Sequence, residues 1–124
     1  MRAKLLAIGT GIGLALAATG AMAHPKLTSA VPAADGAERA ASPTKEIRLN
    51  FSEGVIAKFS GLELRDESGK SIATGTPAAD PKDKKQLVVP LSTPLVAGKY
   101  RVIWHVVSED THRVKGEYTF TIGN

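Results

Sequence analysis

Tyr100-Arg101-Val102-Ile103-Trp104-His105-Val106-Val107 is the run that decides the fold class. Its apolar residues fall on both parities, which suits a central strand. Around it the alternation is stricter. Ile47-Arg48-Leu49-Asn50-Phe51, Leu62-Glu63-Leu64 and Tyr118-Thr119-Phe120-Thr121-Ile122 each read as a strand with one buried face, and Gln86-Leu87-Val88-Val89 reads as another. Turn chemistry separates them: Pro32 to Gly36, Ser42-Pro43, Asp66 to Gly69, Thr76-Pro77 through Asp83, Thr93-Pro94 and Ala97-Gly98. There is no internal repeat and no amphipathic helix. This spacing predicts an all-β domain over 24–124, an immunoglobulin-like Greek-key β-sandwich of about seven strands. The chain has no cysteine, so no disulfide or thiolate metal site contributes and the apolar core must hold the fold.

The start of the chain has a different composition. Arg2 and Lys4 precede an apolar stretch from Leu5 to Ala18, and Ala21-Met22-Ala23 has the small-x-small pattern cut by signal peptidase. Residues 1–23 are therefore expected to be a cleaved secretion signal, giving an exported, soluble protein without stable membrane insertion. Cleavage after Ala23 takes the 124-residue chain with formal charge +4 to 101 residues with +2, and removes both methionines, Met1 and Met22. In what remains, charges of both signs are interspersed. The densest run, Lys82-Asp83-Lys84-Lys85, falls in a Pro-flanked loop. Nucleic-acid binding needs a basic stripe with stacking platforms, and the sequence has none.

The same cleavage would make His24 the N-terminal residue. An N-terminal histidine offers two donors, the α-amine and imidazole Nδ1, which close a chelate ring on one metal ion. Their ordinary pKa values, about 8 and about 6.5, let both lose protons to a metal near neutral pH. Pro25 has no N–H to deprotonate and ligate, so the remaining donors must come from elsewhere in the fold. Ser108-Glu109-Asp110-Thr111-His112, at the turn ending the long strand, is the candidate source. Asp110 and His112 are two apart and leave one face of an extended stretch. Mixed N and O donors favour Cu(II), with Zn(II) as competitor. Taken singly, His24 fits an exposed chain end and Asp110-Thr111-His112 fits a solvated Asx-type turn. The third histidine, His105, lies in a strand with parity opposite to Trp104 and reads as a strand residue, not a ligand.

His24-Pro25-Lys26-Leu27, Asn50-Phe51-Ser52-Glu53, Pro94-Leu95 with Ala97-Gly98-Lys99-Tyr100, Trp104, and Val107-Ser108-Glu109-Asp110-Thr111-His112 followed by Gly116 and Phe120 resemble the CopC family of periplasmic copper-resistance and copper-trafficking proteins. The resemblance covers nearly all of 24–124. It implies one Cu(II) per mature chain, held by His24 with its amine, Asp110 and His112. Glu53 matches a carboxylate near the family's copper and is an auxiliary candidate; a solvated strand-end charge is the equal alternative. Some family members carry a Met-rich Cu(I) loop, but Gly54 through Gly75 contains neither Met nor His here, so no Cu(I) site is expected. The implied partners are a CopD-like inner-membrane copper transporter or a periplasmic multicopper oxidase.

Two other functions remain open at this level. A copper monooxygenase acting on polysaccharides also begins with a chelating histidine, but it needs an open coordination position that ligation by Asp110 would close. A metal-free interaction sandwich would leave His24 and His112 without a joint purpose. No enzymatic activity is expected.

Overall fold

The computed structural model describes residues 24–35 and 43–123; the expected signal over 1–23 lies outside them. Eight strands are present among the described residues: β1 (Leu27–Val31), β2 (Thr44–Phe51), β3 (Gly61–Asp66), β4 (Ser71–Ile72), β5 (Ala78–Asp80), β6 (Asp83–Leu95), β7 (Gly98–Val107) and β8 (Arg113–Ile122). They form two antiparallel four-stranded sheets, in the orders β1-β2-β6-β5 and β4-β3-β7-β8.

The alternation read from the sequence sets which faces meet. Ile47, Leu49 and Phe51 of β2 and Leu87 and Val89 of β6 face Leu64 of β3, Val102, Trp104 and Val106 of β7, and Phe120 and Ile122 of β8. Burying each such side chain contributes about 1.5–3 kcal/mol, which suits a domain with no covalent crosslink. Phe51 meets Trp104 edge to face at 5.2 Å, and Tyr100 stacks on Phe120 at 5.4 Å, so rings bridge the sheets at one end and pack within a sheet at the other. β7 is central, paired with β3 along 61–66 and with β8 along its whole length. Opposite Trp104 sits Gly116. A Cβ there would lie 2.5 Å from the Trp104 ring, so the indole needs a residue without a side chain beside it.

The strand map differs from the sequence reading in several places, among them β4, which that reading lacks, and β8, which starts at Arg113 and not at Tyr118. β1 carries no alternation because only Ala30 of its five residues is buried. β5 lies inside the Thr76–Asp83 stretch read as a turn, and β6 continues on both sides of its apolar centre. It takes in Asp83-Lys84-Lys85, whose side chains are exposed while their backbone is in the strand. At the other end β6 passes Pro90 and Thr93-Pro94, with a register shift against β2 between Thr44 and Glu46 that absorbs the irregular residues.

Candidate metal centre

The N-terminal segment is held in place immediately beside His24. Lys26 N donates to Ser52 Oγ at 2.9 Å, and Ser52 N donates back to Lys26 O at 2.9 Å. Pro25 is fully buried next to this reciprocal pair. His24 is thereby carried, exposed, to the pole where β7 turns into β8.

That turn is tightly closed. Thr111 N donates to Ser108 O at 2.8 Å and Ser108 N to His112 O at 2.9 Å, with Thr111 in the left-handed region at φ 70°. It is also fixed to the loop after β2, because Glu109 N donates to Gly54 O at 3.0 Å and Val55 bridges to Ser108. Ser108, with no exposed surface, organises the interior of the turn. Its hydroxyl donates to Asp110 Oδ1 and accepts from His112 N at 3.2 Å. The Ser108 hydroxyl, and after it the neighbouring His112, hold the Asp110 carboxyl below the usual aspartate range. Asp110 thus stays an anionic oxygen donor across ordinary pH.

Two of the sequence candidates meet across this pole. The rings of His24 and His112 are 5.1 Å apart and nearly perpendicular, at 87°. Asp110 Oδ1 lies 3.1 Å from His112 Nδ1. That nitrogen is nevertheless shielded from solvent and has no aligned hydrogen bond. A buried ring nitrogen without a hydrogen-bond partner, an ionised carboxylate beside it and a second imidazole against it form a donor set that fits a borderline divalent ion such as Cu(II) or Zn(II). No three His, Asp or Glu side chains converge as a ready-made cage among the described residues. In the uncut chain the His24 nitrogen is a peptide nitrogen, so one donor of the expected set does not yet exist. Glu53 makes no hydrogen bond or ion pair among the described residues and is half-buried. His105 is exposed on the outer face of β7, paired with Lys115 of β8, away from the inward-facing Trp104.

The sequence reading missed Ser52 and Ser108. Both look like turn residues; their position at the ends of strands β2 and β7 is the only signal, with Ser108 buried and Ser52 exposed.

The sequence profile of the CopC domain matches residues 27–123, and the chain belongs to the CopC family. It is 46% identical over 124 aligned residues to copper resistance protein C of Escherichia coli, spanning 95% of this chain and 94% of that protein. The crystal structure of PcoC, a methionine-rich copper resistance protein from Escherichia coli, superposes with TM-score 0.69 at 42% identity, covering 81% of this chain and 99% of PcoC. CopC from Methylosinus trichosporium OB3b gives TM-score 0.72 at 29% identity, covering 81% of this chain and 94% of that one. In contrast to a methionine-rich relative, this chain has only Met1 and Met22. No helix among the described residues is long and apolar enough to cross a membrane.

Proposed function

We propose that the chain is exported, cut before His24, and binds one Cu(II) in the periplasm through the His24 amine and imidazole, Asp110 and His112. It acts as a carrier that buffers copper for resistance or delivers it to a CopD-like transporter or a multicopper oxidase. The observation that carries this reading is the 5.1 Å approach of His24 to His112, two residues from opposite ends of the sequence, with Asp110 beside them. Histidine, amine and carboxylate donors suit Cu(II), and the cut chain, having lost Met1 and Met22, carries no thioether to make a soft set for Cu(I). A hard carboxylate among the donors favours holding an ion over activating oxygen on it, so the reading is a carrier and not an oxygenase.

The deciding experiment compares Cu(II) affinity and EPR spectra of protein starting at His24 with protein bearing one additional N-terminal residue. The extra residue is expected to weaken binding and change the spectrum; identical behaviour would sink the amine assignment. Because protons compete for amine and imidazole nitrogens, affinity is expected to fall between about pH 8 and about pH 5, a range bracketing the ordinary imidazole value near 6.5. Affinity constant over that range, followed by competition with a chromogenic chelator, contradicts ligation through two imidazoles.

A further inference from the structure

On the outer face of the β4-β3-β7-β8 sheet, a groove of about 700 Å³ runs beside the metal pole. Its floor and wall are apolar, from Ile56, Phe59 and Val107, and its rim carries His105, Arg113 and Lys115. Phe59 is 56% exposed, on the short 3-10 turn Ala57–Phe59, an unusual place for a large aromatic in a protein whose other rings pack inward. Lys58 Nζ stands 5.8 Å from the centre of that ring.

The charge balance here is one-sided. The acidic residues on this outer face are already engaged: Glu63 with Arg65 at 2.7 Å and Glu117 with Arg101 at 3.6 Å. Lys58, Arg113 and Lys115 have no ion pair among the described residues, and no carboxylate lines the groove. An aromatic anchor inside an unneutralised cationic rim is complementary to a ligand that pairs an apolar side chain with flanking carboxylates. The groove also borders the metal pole, since Thr111 and Arg113, the neighbours of His112 on both sides, line its end.

We propose that this groove docks an acidic segment of a partner protein, with one large apolar side chain seated against Phe59 and Ile56 and carboxylates facing Lys58, Arg113 and Lys115. A segment bound there comes alongside His112, where a partner's own ligands can reach an ion. The location of the groove is independent of the copper reading; only its use in hand-off rests on that reading.

The test uses copper-free, isotope-labelled protein, so the docking proposal and the metal assignment fail separately. The probe is a capped peptide with a central Phe flanked on each side by two acidic residues. Amide shifts are expected in 56–59, 105–107 and 111–115, with affinity dropping about threefold or more as ionic strength rises from about 0.02 to about 0.2 M. Phe59→Ala and Lys115→Glu, both at exposed positions, are each expected to weaken binding about tenfold while shifts in the rest of the spectrum stay put. The proposal is overturned by affinity weaker than about 1 mM, by shifts mapping elsewhere, or by equal binding of the same peptide with lysines replacing its acids. It is also overturned if phosphatidylglycerol vesicles perturb these amides and the peptide does not, since the face then meets a membrane surface.

Discussion

Ser108 carries more of the site than its size indicates. One hydroxyl, itself fully buried, serves both the Asp110 carboxylate and the His112 backbone N–H. Ser108→Ala is therefore expected to cost about 1–3 kcal/mol of folding stability, read from urea unfolding. Residues that orient metal ligands commonly change affinity by about 10–100-fold, and the same variant is expected to lose Cu(II) affinity within that range by chelator competition. If stability falls and affinity does not, Ser108 supports the turn alone. The contrast with His24, Asp110 and His112 explains what the sequence could disclose at this scale. Donor atoms announce their chemistry by residue type, whereas a serine that positions a donor is indistinguishable in sequence from one that merely begins a turn.

The packing of β7 against β8 gives a sharper test of the elements. Gly116 leaves room for the Trp104 ring, and a methyl group at that position would overlap it. Gly116→Ala is expected to destabilise by about 1–3 kcal/mol and to alter the near-UV signal of the chain's single tryptophan. An unchanged melting temperature and spectrum would mean the sheet relaxes around the methyl group at little cost. β2, β3 and the second half of β8 were legible because each buries one face and exposes the other, so period two appears in the letters, whereas β7 was legible as a longer apolar run on both parities. β1, β4 and β5 were not, since their pairing is made by backbone groups while their side chains stay mostly outside the core. β6 was recognised only around Leu87 and Val89. Its outer thirds are charged or carry proline, and proline is tolerated where no neighbouring strand needs its missing N–H.

For the whole molecule, three carboxyls share one electrostatic pattern. Asp35 accepts from the Thr119 and Thr121 hydroxyls, Asp66 from the Ser68 hydroxyl and the Lys70 N–H, and Asp110 from Ser108; all three are held below the usual aspartate range. A carboxyl depressed in the folded state stabilises it above the unfolded value of about 3.9, and that stabilisation is lost as pH falls through the folded value. Thermal melts are expected to drop steeply below about pH 4. Asp35→Asn should melt lower than the parent at neutral pH, with the gap closing in acid as the parent's own carboxyl protonates. A gap that stays constant with pH rules out Asp35 as a contributor. The fold also separates its two ends. β7 runs ten residues from the Leu95–Gly98 turn to the pole that carries His24 and His112, a span of about 33 Å at about 3.3 Å per residue. Val96, 70% exposed in that far turn, is thus a natural attachment point. A dye or surface tether placed there leaves His24 and the β7–β8 turn unobstructed, so copper titrations of the immobilised domain test the proposed site clear of the surface.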